Sequence, residues 1–425
     1  MKKKKAPLGR RMKEFVKTSV VWGPLDHNLF FTIIFLNVYG IIMVYSASYN
    51  NSITKNYSYF MNNQLKNVIF GFVIMIVASY VNYHRIVRLG WGWFWLLAAV
   101  AIIAALKTPL AHSELGATRW IKLGSISFQA AEPIKAAIII FFAYYVSYWG
   151  LNRWYNQLLA CLLAIALLGF LFFFSNNLST VIVLFCICAV IILSSVKKPD
   201  LYWYFLLGLA LIIIAAIFVT VYLLMHQGAE NFRFVRIRAW LHPEEYAADE
   251  GLQAMQARYA IGAGGFWGKG LGQSLIKFKL SYSYNDFILA IICEELGVFG
   301  VIVMMTLFGY LLYRIYKIAQ NAWDIEGKVL AIGVFTQIAL QLLINVMVVT
   351  SVIPTTGVTL PFFSAGGTSV VFLLAELGMV LNVDKYAKER RFFEEAERHV
   401  AQMEQRGGIG AAGWRRRLDS ARTRR

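Results

Sequence analysis

Residues 155–196 read Tyr155-Asn-Gln-Leu-Leu-Ala-Cys161-Leu-Leu-Ala-Ile-Ala-Leu-Leu-Gly169-Phe-Leu-Phe-Phe-Phe174, then Ser175-Asn-Asn177, then Leu178-Ser-Thr-Val-Ile-Val-Leu-Phe-Cys186-Ile-Cys188-Ala-Val-Ile-Ile-Leu-Ser-Ser-Val196. No charged residue interrupts the stretch, and one polar triplet divides it into two apolar runs of about 20 residues. That is the length a helix needs to cross about 30 Å of hydrocarbon. Working outward, ten such runs lie near 28–48, 64–83, 88–107, 128–149, 155–174, 178–196, 201–225, 286–313, 328–353 and 366–384. With 59% hydrophobic and 15% charged residues and a mean hydropathy of +0.58, the 425-residue chain is too apolar for a soluble domain. The reading is an all-α polytopic membrane protein, because only helices or closed barrels satisfy the backbone in lipid.

The formal charge of +18 is concentrated at the ends. Residues 1–17 hold eight Lys/Arg and one acid, and residues 385–425 hold twelve and six, so the two tails carry +13 of it. Basic tails beside apolar spans read as cytoplasmic anchors against anionic membrane lipid, and this placement argues against nucleic acid as a partner. Arg85, Arg88, Arg153, Lys197, Lys198, Arg314, Lys317 and Lys328 fall in the loops on the same side as the tails. That alternation requires an even number of spans with both termini cytoplasmic. The chain divides into a basic N-tail (1–27), a membrane domain (28–384) with a long outward loop (226–285), and a basic C-tail (385–425). The C-tail has helical character from Lys388 to Gln405. No cleavable signal peptide and no internal repeat is evident. The four cysteines sit in apolar runs as small hydrophobes, and His226 and His242 are isolated.

Four segments could carry chemistry. In the outward loop, residues 262–272 hold six glycines in eleven positions (Gly262, Gly264, Gly265, Gly268, Gly270, Gly272). Glycine lets backbone N–H groups approach a ligand, which suits a phosphate, although a plain turn is equally compatible. Next, Asn285-Asp286 opens the eighth span, followed by Glu294-Glu295. Asp286 is either a helix cap or a general base at the outer face. Glu294 lies about 12 Å further along and about 80° around the helix. Two adjacent intramembrane carboxylates must pair with cations or face a polar cavity. Third, Arg119-Trp-Ile-Lys122 precedes Gln129-Ala-Ala-Glu132-Pro-Ile-Lys135, whose Glu132 and Lys135 share one helix face and can neutralise each other. Last, Pro354-Thr-Thr-Gly357 through Ser364-Ala-Gly366-Gly367-Thr368-Ser369 is non-helical, and irregular backbone at membrane depth lines a cavity or is buried in protein.

Together these segments, with Met43-Val-Tyr-Ser-Ala-Ser48 and Asn177-Leu-Ser-Thr180, resemble the SEDS family of cell-wall polymerases, the relatives of FtsW, RodA and SpoVE, over nearly the whole membrane domain. The details are closer to the FtsW and SpoVE branch than to RodA. The chain departs from the family's usual pattern at Ala130-Ala131, at Ser281-Tyr282 and at Ala365. The resemblance implies ten spans in the bacterial cytoplasmic membrane and a glycosyltransferase that polymerises lipid II at the outer face, for division or cell-shape growth. It implies Asp286 as the catalytic residue. Transfer from a polyprenyl-diphosphate donor needs one base for the acceptor hydroxyl, and positive charge for the leaving group. Arg119, Lys135, Arg236, Arg238, Lys269 and Lys277 are the available cations. Glu132, Gln253, Glu294, Ser364, Gly366, Gly367 and Thr368 complete the candidate substrate site. No complete metal-ligand set is visible, though a divalent cation, Mg or Mn, would suit the diphosphate. The resemblance also implies a class B penicillin-binding protein as transpeptidase partner, among other division or elongation membrane proteins. The competing readings are a lipid-linked precursor flippase, a RodA-type elongation polymerase and a non-catalytic division scaffold.

Overall fold

The computed structural model describes residues 23–48, 59–114, 117–124, 126–175, 177–196, 232–245, 250–278, 284–405 and 414–415. The expected seventh span (201–225), most of the N-tail and the end of the C-tail lie outside the described residues.

The chain is mostly helical. Helices α1 (His27–Ser48) and α2 (Tyr59–Tyr80) lead to a short turn of helix, α3 (Tyr83–Val87), and to α4 (Trp93–Ala105). Then follow α5 (Ala131–Trp149), α6 (Trp154–Ser175) and α7 (Leu178–Ser195). The described parts of the long loop form α8 (Phe232–Leu241) and α9 (Glu250–Gly264). Helices α10 (Ile288–Gln320), α11 (Ile325–Val349) and α12 (Thr368–Gln405) close the order. Among the described residues six helices, α1, α2, α6, α7, α10 and α11, are long and apolar enough to cross a membrane. Their outer faces carry large apolar side chains exposed in the isolated chain, such as Phe70, Ile165 and Phe173, as lipid-facing surface requires.

Two features differ from the sequence expectation. The chain is not all helix: residues 111–129 fold as a three-stranded antiparallel sheet, β1 (Ala111–Glu114), β2 (Ala117–Leu123) and β3 (Ile126–Gln129). Leu123 pairs with Ile126 where β2 meets β3, and Trp120 and Ile121 are strand-forming residues. The second difference is that α12 runs without a break across the expected end of the membrane domain. Asp384 and Lys385 are buried on it, at 9% and 1% exposure.

Polar contacts sort the connections into two ends of the bundle. At one end Arg314 pairs with Asp26, His84 with Asp324 (2.7 Å) and Arg88 with Glu326 (2.8 Å), while Arg391 donates to the Asn321 carbonyl (2.7 Å). Asp324 caps α11 by accepting the Gly327 N–H at 2.8 Å. Burial alone would raise its carboxyl, but the bonds from His84, Gly327 and Tyr83 outweigh that and hold it below the usual range. The other end gathers the sheet, the loop after α9, the turn before α10 and the segment 350–367. Between the two ends, α5 runs through the interior, with Ile134, Ile138, Phe141, Phe142 and Tyr145 all buried. Helix α12 lies along α2, and the approach is close because Gly378 has no side chain: a Cβ there would stand 2.5 Å from the Met75 carbonyl oxygen.

Candidate active site

The N-terminal part of α10 is interrupted at Gly297, where φ is +64° and ψ −163°. An unbroken helix would send the N–H groups of Val298 and Phe299 back to the carbonyls of Glu294 and Glu295. Here they donate to Gly265 and Phe266 of the glycine-rich loop (both 3.1 Å). The freed carbonyls of Glu294 and Glu295 accept from Lys269 N and Gly270 N (both 2.9 Å). Four backbone groups therefore exchange partners with the loop, and none is stranded in the apolar interior. Only glycine fits this contact. A Cβ on Gly268 would collide with the Glu295 carbonyl, and one on Gly297 with the Phe266 carbonyl.

The side chains reinforce the same junction. Glu294, fully buried, accepts from Lys269 Nζ (2.7 Å), Leu275 N (3.2 Å), Ile276 N (3.3 Å) and the Ser274 hydroxyl. Glu295, also fully buried, accepts from the Ser46 hydroxyl, Ser274 N (3.3 Å) and Lys277 Nζ (3.4 Å). Lys277 Nζ further donates to the carbonyls of Gly272 (2.7 Å) and Ser46 (3.3 Å). The loop N–H groups that the sequence offers to a phosphate are thus directed inward, at the carboxylates and carbonyls of α10 and at Ser46. In this structure Lys269, Lys277 and Glu294 hold the loop to α10.

Asp286 stands in the turn immediately before α10, half-buried. The cap position of the helix falls on Phe287, without a side-chain cap bond. The turn is clamped from two sides. Asn345 Nδ2 of α11 donates to the Asp286 carbonyl (2.9 Å) and to the Val358 carbonyl (3.0 Å). The Ser364 hydroxyl donates to the Asn285 carbonyl (2.8 Å) and accepts from Leu360 N (2.8 Å), while Ala365 N donates to Tyr284 (2.9 Å). Ser364 is buried in this network, and Gly366, Gly367 and Thr368 continue from it into α12.

Glu132 and Lys135 form an ion pair at 2.9 Å near the start of α5, and their side chains are only 5% and 3% exposed. They line a narrow cleft, with about 30 Å³ of enclosed space, together with Thr180, Gln341, Gly357 and Thr359. Val358 is a wall of this cleft and also the partner of Asn345. The segment 354–364 therefore forms a shared partition between the Asp286 turn and the Glu132–Lys135 cleft. The Asp286 turn and the Glu132–Lys135 cleft thus lie on either side of one segment, joined through Asn345 and Val358.

The remaining candidates lie elsewhere. Arg236 and Arg238 are half-buried on α8, which is tied to the bundle by Trp240 Nε1 donating to the Ser351 carbonyl at 2.8 Å. Gln253 is half-buried on α9. Arg119 lies in β2, and its side chain is outside the described residues. Sequence reasoning missed Gln337, Gln341 and Asn345 on α11. Their four-residue spacing puts them on one helix face, about 6 Å apart per step. Asn345 serves the Asp286 turn and Gln341 lines the cleft, while Gln337 Nε2 donates to Glu376 on α12 at 2.8 Å. Three amides at period four within an apolar span were the available signal.

The sequence model of the family described as "Cell cycle protein", covering FtsW, RodA and SpoVE, matches residues 26–389. The chain belongs to that family. It is 31% identical to a probable peptidoglycan glycosyltransferase FtsW of Trichlorobacter lovleyi over 382 residues, covering 88% of this chain and 96% of the relative. It is 33% identical to the stage V sporulation protein E of Bacillus subtilis over 370 residues, covering 84% and 96%. Among solved structures, a chain of a peptidoglycan synthase complex that coordinates polymerization and crosslinking aligns with a TM-score of 0.72 at 22% identity, covering 86% of this chain and 99% of that one. The rod shape determining protein RodA of Thermus thermophilus aligns with a TM-score of 0.61 at 22% identity, covering 86% and 98%. The family's fold thus extends over most of the chain.

Proposed function

We propose that this chain is a lipid II polymerase, a peptidoglycan glycosyltransferase of the bacterial cytoplasmic membrane. The observation that carries the reading is the shared partition: segment 354–364 abuts both the Asp286 turn and the Glu132–Lys135 cleft. Relatives at 31–33% identity named as FtsW glycosyltransferases and as a stage V sporulation protein support it. Asp286 takes the proton of the acceptor 4-hydroxyl as that oxygen attacks the anomeric carbon of the donor. The bond from that carbon to the diphosphate breaks, and the diphosphate leaves as an anion without needing a proton. Lys135 meets the growing negative charge, with Arg119, Arg236 and Arg238 as further cations from the outer loops. A divalent cation would supply the same charge, but among the described residues no three His, Cys, Asp or Glu side chains converge to hold one.

Ten spans, both tails inside and loop 226–285 outside complete the reading. The grouping of Asp26, Arg88, Arg314 and Glu326 at the opposite end from Asp286 supports it. A class B penicillin-binding protein would cross-link the strands, with its single span packed on the lipid-facing helices. The test is polymer formation from lipid II by the purified chain. Asp286→Asn keeps the size of the side chain and removes the base. It should lower polymer yield at least ~100-fold while leaving the melting temperature near wild type. Normal polymerisation by the Asn variant would exclude Asp286 as the base, and an inert wild type would favour a flippase or scaffold.

A further inference from the structure

Gln337, Gln341 and Asn345 share one face of α11, but the protein uses only the outer two of these amides. Gln337 Nε2 donates to Glu376 (2.8 Å), and Asn345 Nδ2 donates to the carbonyls of Asp286 and Val358 (2.9 and 3.0 Å). Gln341, between them, is 7% exposed, and its side chain makes no hydrogen bond among the described residues. The amide oxygens of Gln337 and Asn345 are sealed in the interior, whereas the Gln341 amide opens onto the cleft that it lines. An uncommitted amide inside a membrane span is costly, and it persists where a ligand supplies the missing partner.

The surroundings of Gln341 define that ligand. Gln341 stands where two spaces meet. One is the cleft of Glu132 and Lys135, and the other is a smaller pocket, with about 10 Å³ of enclosed space, that shares Glu132, Gln341 and Thr359 with it. Leu360, Phe362, Val370 and Leu373 make the wall of the smaller pocket largely apolar. It has room for one group the size of a water or a methyl. In the cleft itself the two charges are paired with each other, and the polar groups left without a bond are neutral, among them the Gln341 amide and the hydroxyls of Thr180 and Thr359.

We propose that Gln341 is a specificity-determining residue that reads the 2-acetamido group of the diphosphate-linked sugar, an inference that rests on the polymerase reading above. Gln341 Oε1 accepts the acetamido N–H, and the acetyl methyl enters the apolar pocket. The geometry of a trans amide requires this pairing, because its methyl lies on the same edge as its N–H and its carbonyl on the opposite edge. The carbonyl then faces the Thr180 hydroxyl, which lines the cleft but not the pocket. A phosphate has no N–H to offer Oε1, and a sugar hydroxyl would leave the apolar pocket empty. The narrow cleft suits a side group of a sugar rather than its ring. Carbon 2 adjoins the anomeric carbon that bears the diphosphate, so the acetamido group and the anion that Lys135 meets are neighbours on one donor.

The experiment compares three lipid II donors, whose diphosphate-linked sugar carries a 2-acetamido, a 2-propionamido or a 2-hydroxyl group. Polymerisation by the full-length chain is read as kcat/KM, with melting temperatures recorded. The wild type should prefer the acetamido donor about tenfold or more over each of the others. Gln341→Leu should lose about tenfold on the acetamido donor and little on the hydroxyl donor, so that the preference collapses. Its melting temperature should stay at or above wild type, since no bond to the protein is lost. Should the Leu variant fail to fold, Gln341→Met gives the same comparison. Leu373→Ala deepens the apolar pocket and should shrink the penalty on the propionamido donor. The hydroxyl donor keeps every amide of the stem peptide, so a wild type that uses it as well as the acetamido donor would show that Gln341 does not read the sugar. That result, or a wild-type preference retained in the Leu or Met variant, overturns the role of Gln341 and leaves the polymerase reading standing. An unchanged propionamido penalty in the Leu373 variant overturns the place given to the methyl, and the proposal with it. A wild type inert with every donor overturns the polymerase reading, and the role of Gln341 falls with it.

Discussion

The two lysines that bind the glycine-rich loop to α10 should differ sharply in what their loss costs. Lys277 is 1% exposed in its side chain and faces Glu295, which is fully buried. Replacing Lys277 with Met strands that carboxylate without a cation and leaves the carbonyls of Gly272 and Ser46 short of a donor. Breaking a buried pair from one side costs about 3–5 kcal/mol. Lys269 is 31% exposed, and its partner Glu294 would keep three other donors, the Ser274 hydroxyl and the N–H groups of Leu275 and Ile276. Its replacement by Met should cost about 1–2 kcal/mol, the loss of one charge-assisted bond that water partly replaces. The double change Lys277→Met with Glu295→Gln leaves no stranded charge and should be milder than Lys277→Met alone. The assay is thermal unfolding of the detergent-purified proteins, with polymer yield measured in parallel. Equal losses of stability for the two single lysine variants would refute the reasoning. So would a double variant less stable than either of its singles. Lys269→Met with intact stability but no polymer would return Lys269 to the diphosphate site.

Replacing both Glu132 and Lys135, by Gln and Met, should restore stability relative to either single change, while polymerisation stays lost because the cleft has no cation. Full recovery of both melting temperature and polymer yield would remove the pair from the active site. Gly297→Ala should destabilise the chain by roughly 3 kcal/mol or more, because the new Cβ meets the Phe266 carbonyl and the φ of +64° is strained for alanine. A wild-type melting temperature would show that α10 is not interrupted there. Asp324→Ala removes a helix cap and should cost about 1–2 kcal/mol at pH 7. Its carboxyl is held low in the folded state, so that stabilisation is present above the usual carboxylate range and fades as pH falls through the depressed value. The wild type and the Ala variant should therefore converge in stability in acid, and a gap that widens in acid would contradict the cap.

The apolar runs were legible because hydrocarbon thickness fixes their length, and α1, α6 and α7 lie within one residue of the runs at 28–48, 155–174 and 178–196. Boundaries drifted where tertiary structure takes over. Helix α10 reaches Gln320 because Arg314 pairs with Asp26 beyond the expected end, and α12 continues through buried Asp384 and Lys385. The sheet was missed because residues 111–129 were read for their charges, although the Gly124-Ser125 pair between Leu123 and Ile126 is a hairpin signal. In the candidate site, Glu132 with Lys135 was readable from i,i+3 spacing on one helix. The partners of Glu294 and Glu295 were not, since Lys269 lies 25 residues from Glu294 and Lys277 lies 18 from Glu295 in a glycine loop whose path the helical periodicity does not describe. Residues 281–283, where the sequence departs from the family before Asp286, lie outside the described residues.

The distribution of buried charge separates what holds this fold from what can act. At the α10 junction each carboxylate meets several donors, and the ion pairs close a backbone exchange that glycine makes possible. Such a site is saturated, and a substrate anion could enter only by breaking it. Around α5 the count is different. Among the described residues Lys135 has one ion-pair partner, Glu132, and Glu376 has one amide and a bare oxygen. An under-satisfied polar group inside a membrane protein is costly and persists where it does something the packed alternative cannot. The amides of α11 tie this under-satisfied region to the Asp286 turn by way of Asn345 and Val358. A change at Asn345 should therefore move the Asp286 turn and the cleft wall together. Asn345→Ala, which takes the donor from both carbonyls, should reduce polymer yield about tenfold or more with a stability loss of about 1–3 kcal/mol. A variant with full activity at that loss of stability would show that the turn and the cleft do not depend on their shared strut.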